Sequence, residues 1–353
     1  MTTFTTDAIE VVDDTEAYYA LSLAEKWGDG APLVPPTDAR IAALLAATPL
    51  PADHVLGKLP PRYGKATVEL VAVNAAMAGC LPQAFPHVLA ALEGILRPEF
   101  NAFAITTTTS SAMPAVIVNG PSRDQLGIDY RAGCLGGAAG RGSMSIGRAV
   151  SLCLRNIGGQ RVGENSRSVF GQPARFGMCF GEWDERSPWR SLAERAGFSN
   201  DKDVVTVHTS KGTSTLADTH NDDPHDLAYM LGKSVAYPMS NWYLETSGDC
   251  GQIVLLVNPI WADRLAKAFP AIEDFQAYLW ENAWQPIDLW RPANQHILQN
   301  NNRVDARGRV YVCKRPDQIV PVVCGGLGSL HAVLLATWCQ TEMQSVEVVR
   351  SGR

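Results

Sequence analysis

The segment VNGPSRDQL (118–126) is repeated in altered form as VNPIWADRL (257–265), 139 positions later, and this repeat bears most directly on the fold. Both copies end an apolar run in Val-Asn, place a proline within two residues, and carry an aspartate at the matching position, Asp124 or Asp263. A short apolar run that leads into a helical pattern is typical of a buried strand followed by a helix. The sequence predicts an α/β protein with a layered sheet or sheets and helices. The repeat has two explanations: the protein contains two related α/β units, or two turns from strand to helix are similar by chance.

The periodicity divides the chain into three predicted parts. Residues 1–100 are predicted to form an N-terminal helical portion packed on the core, because amphipathic helical patterns alternate there with proline-rich loops. Residues 101–200 then form a first α/β unit with a glycine-rich loop, and residues 201–353 form a second α/β unit.

Three shorter segments receive local predictions. AFAITTTT (102–109) has the composition of a strand, LHAVLLATW (330–338) favours a helix, and LGKLPPRYGKAT (56–67) favours a stiff loop without regular structure.

Composition limits the class of protein. The 353 residues are 46% hydrophobic and 19% charged with a net charge of -6, which argues against a general nucleic-acid binder. No apolar run is long enough to span a membrane, and the polar, acidic start is unlike a secretory signal. The eight cysteines form no CxxC pair, which is typical of reduced thiols and predicts a cytoplasmic location.

Five motifs carry a resemblance to a known group of proteins. They are WGDGAPLVPPT (27–37), LGKLPPRYGKATVELVAVNAAMAGCLP (56–82), VNGPSRDQLGI (118–128), IGRAVSLCLRNIGG (146–159) and SPWRSLAERAGF (187–198). In these motifs the chain resembles a large uncharacterised bacterial family of about this length, sometimes labelled UGSC-related or thioredoxin-like. The resemblance implies a stand-alone bacterial enzyme of small-molecule metabolism and supplies no reaction.

The glycine-rich segment 133–159 predicts a binding site for an anion. Glycines allow backbone amides to approach a ligand, and the start of a helix offers unpaired N–H groups and a positive dipole end. Arg141, Ser143, Ser145 and Arg148 would then hold a carboxylate or phosphate as the substrate-binding residues. The alternative is a tightly packed loop whose arginines form ion pairs.

A first pair of candidate catalytic residues lies on one predicted helix face. Glu69 and Cys80 are eleven residues apart, which places both on one face of the helix. Burial would raise the pKa of Glu69 so that it could transfer protons, and Cys80 could act as a nucleophile. The alternative is that Lys65 pairs with Glu69 across one turn and that Cys80 only fills the core.

Two further candidates follow predicted strands. Glu182 follows RFGMCFG, the usual place for catalytic groups in open α/β sheets, whereas Asp184 and Glu185 are expected to be solvated or to cap a helix. His331 is expected at a helix start beside a second glycine loop, where it would be catalytic or a cap.

The segment ADTHNDDPHD (217–226) suggests a divalent metal as a cofactor. His220, Asp222 and His225 are ligand types for such an ion, with Asp223 beside them. An ordinary helix start at Asp223-Pro224 is the alternative.

Tryptophans are concentrated late in the chain and predict a subunit interface, and hence a homo-oligomer. They are Trp242, Trp261, Trp280, Trp284, Trp290 and Trp338.

These residues together predict a cytosolic enzyme that acts on a small carboxylated metabolite by acid/base chemistry, of the lyase, hydratase or hydrolase type. Neither nucleic acid nor a membrane is expected as a partner. One alternative is a thiol-dependent redox or nucleophilic enzyme using Cys80 or Cys134, and the other is a non-catalytic ligand-binding or assembly protein.

Overall fold

The computed structural model describes residues 7–135, 140–239, 251–338 and 341–351. The helices are α1 (Thr15–Ala24), α2 (Asp38–Leu45), α3 (Val68–Met77), α4 (Phe85–Leu96), α5 (Ala102–Thr107), α6 (Ser122–Leu126), α7 (Arg141–Asn156), α8 (Leu192–Arg195), α9 (Pro224–Met239), α10 (Pro259–Leu265), α11 (Ile272–Asn282) and α12 (Pro292–Asn300). The strands are β1 (Val55–Leu59), β2 (Gly64–Thr67), β3 (Met113–Asn119), β4 (Met178–Gly181), β5 (Val204–Ala217), β6 (Ile253–Val257), β7 (Trp284–Pro286), β8 (Arg309–Tyr311), β9 (Ile319–Val323), β10 (His331–Thr337) and β11 (Gln344–Glu347).

The N-terminal part contains α1 to α4 together with the hairpin of β1 and β2. Asp14 caps α1 by accepting a hydrogen bond from the backbone N–H of Ala17 at 2.7 Å, and Thr67 caps α3 through the N–H of Leu70 at 3.2 Å. α3 packs against α2 and α7, and α4 packs against α7 and β5. This helical layer therefore covers the first part of the sheet.

The main sheet has a symmetric strand order, β4-β3-β5-β10-β6-β9, with β11 also paired to β5. β3 pairs parallel with β4 and antiparallel with β5, and β6 pairs parallel with β9 and antiparallel with β10. The two halves join through the antiparallel pair β5 and β10. The α/β class is confirmed, and the strand order agrees with two related units.

Strand register extends this correspondence to single residues. Val118 of β3 pairs with Gly181, and Val257 of β6, its counterpart in the sequence repeat, pairs with Val323. The next residues also match, because the N–H of Glu182 donates to Val118 O and the N–H of Cys324 donates to Val257 O, both at 3.1 Å. Glu182 and Cys324 therefore occupy equivalent places in the two halves.

The sheet is curled, so that its two edge strands approach each other. The N–H of Trp183, just after β4, donates to the carbonyl of Val323 at the end of β9 at 2.7 Å. The side chains of each buried strand enter two different cores in turn, because successive side chains point to opposite faces of the sheet. Ala115 and Ile117 of β3 lie in the interior of the curl, whereas Val116 on the other face packs under the helices.

Three local predictions are wrong. Residues 102–107 form α5 rather than a strand, and Thr106 donates its hydroxyl hydrogen to Ala102 O at 2.9 Å, which satisfies it within the helix. Residues 331–337 form β10 rather than a helix, because β5 and β6 flank them on both sides. Part of 56–67 is a hairpin in which β1 pairs with β2.

The division at residues 100 and 200 stays a prediction, and one sheet contains strands from both later parts. Within the part of the chain that the structure describes, no helix has both the length and the apolar character needed to cross a bilayer.

Candidate functional site

A group of polar residues lies where β3 and β4 end. We call Asn119, Arg123, Glu182, Asp184 and Glu185 the strand-end cluster. Asn119 is the last residue of β3, Glu182 directly follows β4, and Arg123 is on α6. The curl of the sheet also brings the end of β9 to this position. Carboxyl ends of strands are the usual place for ligands in α/β sheets, so the fold marks this cluster as the candidate site.

Glu182 is a buried carboxyl group held by donors from several elements. Its Oε2 accepts a hydrogen bond from Asn119 Nδ2 at 2.7 Å and another from the backbone N–H of Leu192 at 2.7 Å. Burial raises the pKa of Glu182, while the charge of Arg195 and the hydrogen bonds oppose that rise. The predicted position of Glu182 at a strand end is confirmed, and its catalytic role stays a prediction.

Asp184 shares the amide of Asn119 with Glu182. Asn119 Nδ2 donates to Asp184 Oδ1 at 2.7 Å, so one NH2 group connects both carboxyl groups. Burial, followed by the charge of Glu182, raises the pKa of Asp184 to about 7, although Arg123 acts to lower it. The expectation that Asp184 is solvated is wrong, because its side chain is only 22% exposed.

Arg123 supplies the positive charge of the cluster. Its NH2 nitrogen lies 2.6 Å from Glu185 Oε1 and 3.7 Å from Asp184 Oδ2, and its Nε–H donates to Gly120 O at 2.9 Å. The guanidinium also lies over the ring of Tyr130 at 4.6 Å. Arg123 is thus fixed among its partners, and Glu185 is mostly exposed as expected.

An exposed cation and two aromatic rings lie beside the cluster. The guanidinium of Arg131 lies 4.9 Å from the ring centre of Tyr130 and 5.5 Å from that of Trp183, and the two rings meet edge to face. Arg131 is 60% exposed, with Asp124 3.8 Å away. Its charge therefore remains available to a ligand from solvent.

Two cysteines from different halves meet near this edge. The Sγ atoms of Cys134 and Cys324 are 3.7 Å apart, and both residues are buried. The hydrogen bond between the two thiols lowers the pKa of the Cys134 thiol, and the same contact together with burial raises the pKa of Cys324. Proximity to Cys324 gives Cys134 a partner that the sequence analysis did not identify.

The start of α7 is already occupied by a carboxylate of the chain. The N–H of Gly140 donates to Asp129 Oδ2 at 3.3 Å, and the N–H of Asp129 donates to Ser143 Oγ at 2.8 Å. Ser145 Oγ is buried and lies 3.5 Å from Gly142 O. Residues 136–139 of the predicted glycine loop lie outside the described residues. The positive end of the α7 dipole therefore faces Asp129.

The two arginines assigned to an anion have partners within the protein. Arg148 donates to both carboxylate oxygens of Asp29 at 2.7 Å and also to the carbonyls of Ala31 and Pro32. The Nε–H of Arg141 donates to Gly79 O at 3.0 Å. These contacts favour the ion-pair alternative at Arg148 and bind α7 to the N-terminal loops.

Glu69 and Cys80 both lie in the N-terminal helical layer. Glu69 is buried in the first turn of α3. The Cys80 thiol donates to Ser145 O at 3.2 Å, and burial raises the pKa of that thiol to about 12. A thiol with so high a pKa is a poor nucleophile, so the geometry favours the core-filling alternative for Cys80.

The remaining predicted site residues lie elsewhere. His331 begins β10 instead of a helix and is exposed. Asp222 lies 3.2 Å from Arg264, and His225 lies 3.9 Å from Asp223. Within the described ranges no three His, Cys, Asp or Glu side chains are grouped to hold a metal ion, so the metal hypothesis gains no support there.

The late tryptophans have different environments. Trp261 and Trp290 are buried inside the second half, and Trp280 Nε1–H donates to Cys313 O at 2.9 Å. Trp242 lies outside the described residues. The homo-oligomer stays a prediction.

No protein-family model matches this chain, and no curated protein or solved structure matches it significantly. The resemblance to the bacterial family therefore stays a prediction, and the geometry above is the basis for the functional argument.

Proposed function

We propose that the protein is an enzyme that acts on a small carboxylated metabolite by acid/base chemistry at the strand-end cluster. The observation that carries this proposal is that Asn119 Nδ2 donates to both Glu182 and Asp184, while the pKa of Asp184 lies at about 7. A carboxyl group with this pKa is present in both protonation states near neutrality, so it can take a proton in one step and return it in the next.

The exposures of the two carboxyl groups suggest separate roles. Asp184 transfers the proton, because its side chain is partly exposed, whereas Glu182 is buried and holds the Asn119 amide in place. Asn119 Oδ1 is buried and has no hydrogen-bond partner within the described residues, so it can accept a hydrogen bond from protonated Asp184. Arg131 then pairs with the substrate carboxylate.

This arrangement suits removal of a proton next to a carboxylate, as in a lyase or hydratase, and activation of water, as in a hydrolase. The test incubates the protein in deuterated water with a library of carboxylated metabolites. Mass spectrometry follows both their consumption and their uptake of deuterium.

Asp184→Asn should lower the rate on any active substrate about 100-fold or more, because it removes the acid/base group. Asp274→Asn, at an exposed carboxylate on α11, is the matched control and should keep the wild-type rate. The proposal fails if no carboxylate is consumed or labelled, or if Asp184→Asn is as active as the control.

A second candidate function rests on the 3.7 Å separation of Cys134 Sγ and Cys324 Sγ. In this alternative, the Cys134 thiolate attacks a disulfide substrate, and one substrate thiol leaves as a mixed disulfide forms. Cys324 then attacks that mixed disulfide, which releases the second substrate thiol and leaves a Cys134–Cys324 disulfide. The protein loses two electrons and two protons, and the substrate gains both.

Intact-mass measurement after treatment with a small disulfide tests this alternative. We expect the loss of two hydrogens in the wild type and a stable mixed disulfide in Cys324→Ser. Cys80→Ser should behave as the wild type, because the pKa of the Cys80 thiol is raised to about 12, whereas the pKa of the Cys134 thiol is lowered. An unchanged wild-type mass excludes the dithiol reaction.

We also propose that the protein works in the cytoplasm. Six cysteines in the described ranges are free thiols, which suits a reducing compartment.

A further inference from the structure

A cavity lies at the opposite end of β3 from the strand-end cluster. It has a volume of about 250 Å³ and lies between the last turns of α7, the start of β3 and the loop before β4. We call it the α7–β3 cavity. Two arginines line it, Arg155 from α7 and Arg175 from the loop. β3 has seven residues, and a strand rises about 3.3 Å per residue, so the two places are about 20 Å apart.

Arg175 enters the cavity without an acidic partner. Its NH1 group donates to Ser168 Oγ at 2.7 Å and its NH2 group to Ser166 Oγ at 3.3 Å. Across the described part of the chain, no carboxylate lies within ion-pair distance of this guanidinium. Burial therefore lowers the pKa of Arg175 with no opposing negative charge.

Arg155 is only partly compensated. Its Nε is buried and has no hydrogen-bond partner within the described residues. Asp29, which also lines the cavity, and Glu164 are the acidic groups whose charges reach Arg155, and each is paired with another arginine. Asp29 accepts two hydrogen bonds from Arg148 at 2.7 Å, and Glu164 lies 3.0 Å from Arg62.

A cation that is partly buried is costly to keep without a full counter-charge, because it loses hydration. The other residues that line the cavity are apolar in part and polar in part, as in binding sites for small organic ligands. Ile105, Met113 and Leu154 are apolar, whereas Gln160 and Gln172 are amides. Gln172 Nε2 donates to Ser111 O at 2.6 Å, which holds the loop that carries Arg175 against the cavity.

We propose that the α7–β3 cavity binds a small organic dianion, with one or both guanidiniums of Arg155 and Arg175 paired to its oxyanion groups. Dicarboxylates and phosphate monoesters share this chemistry, and the apolar walls accept a short hydrocarbon part. The cavity is too far from Asp184 for its ligand to be the molecule that Asp184 acts on. The site is therefore a second one, and it does not depend on the proposed function.

Isothermal titration calorimetry and thermal unfolding test the site with succinate, phenyl phosphate and inorganic phosphate in about 0.15 M chloride, where exposed charges are largely screened. We expect saturable binding of at least one of these oxyanions, with a matching rise in melting temperature. Stronger binding of succinate would identify the ligand as a dicarboxylate, and stronger binding of phenyl phosphate would identify it as a phosphate monoester. Absence of saturable binding by all three would overturn the proposal.

The variants Arg155→Met and Arg175→Met keep most of the side-chain volume and remove the charge. At least one of them, and the double variant, should weaken binding about tenfold or more, because a charge-assisted hydrogen bond is lost. Arg167→Met, in the same loop as Ser166 and exposed, is the matched control and should bind as the wild type.

A second readout separates a ligand site from a structural ion pair. Without ligand, Arg155→Met should melt at or above the wild-type temperature, because it removes a partly buried charge whose Nε has no hydrogen-bond partner within the described residues. A lower melting temperature of unliganded Arg155→Met, or wild-type affinity of the double variant, would contradict the assignment.

Discussion

Asp184→Asn should stabilise the folded protein above neutral pH. In the unfolded chain, this carboxyl group titrates at its ordinary pKa of 3.8, whereas burial and the charge of Glu182 raise the folded pKa to about 7. An acid whose folded pKa is raised favours the folded state below pH 3.8, and that contribution is lost as the pH rises through about 7. The difference between the two pKa values corresponds to about 4 kcal/mol. The free energy of unfolding of the wild type is lower by this amount once Asp184 is ionised.

Urea denaturation at about pH 5 and about pH 8 measures this effect. The free energy of unfolding of Asp184→Asn relative to the wild type should rise by about 2–3 kcal/mol between these conditions, because most of the ionisation cost falls in this interval. Asp274→Asn, on the surface of α11, should show no such rise. If Asp184→Asn is less stable than the wild type at the higher pH, or its effect is independent of pH, the raised pKa and the proton-transfer role both fail.

Three further predictions concern the scaffold. Asp29→Asn should lower the free energy of unfolding by about 3 kcal/mol in urea denaturation, because it leaves the mostly buried Arg148 unpaired, and adding Arg148→Met should recover most of the loss. Burial lowers the pKa of His208 to about 3, so this residue alone should cost the wild type about 3 kcal/mol of folding stability as the pH falls from about 6.5 to about 4. The free energy of unfolding of His208→Leu should therefore fall less steeply over this pH interval than that of the wild type. Gly147→Ala should lower the melting temperature despite its gain of about 1 kcal/mol in helix propensity, because the new Cβ would lie 2.9 Å from the backbone nitrogen of Met178; an unchanged melting temperature would contradict the close packing of α7 on β4.

Continuous apolar runs predict the strands in which every residue is buried. All residues of β3, β6 and β9 are buried, and their continuous apolar runs are visible in the sequence. β10 has a similar composition but was predicted as a helix, because a short apolar run has no period that separates the two structures. Residues 331–337 form a strand because they pair with β5 and β6, which are distant in sequence.

The candidate site was predicted only in part. Glu182 stands directly after an apolar strand, so its position could be inferred from the sequence. Asn119, Asp184 and Cys324 were missed, because their roles arise from contacts between segments about 60 to 190 positions apart. The repeated Val-Asn at 118–119 and 257–258 was a usable signal for Asn119, since it marks the strand ends in both halves.

The equivalent placement of Glu182 and Cys324 has an evolutionary consequence. In an ancestral dimer of identical subunits, both places would have to carry the same amino acid, since one codon would specify both. In a single chain the two places are encoded separately, so one carries the carboxylate of Glu182 and the other the thiol of Cys324. Asymmetry of this kind gives a single polypeptide two different reactive groups at positions that a symmetric ancestor would have had to make alike.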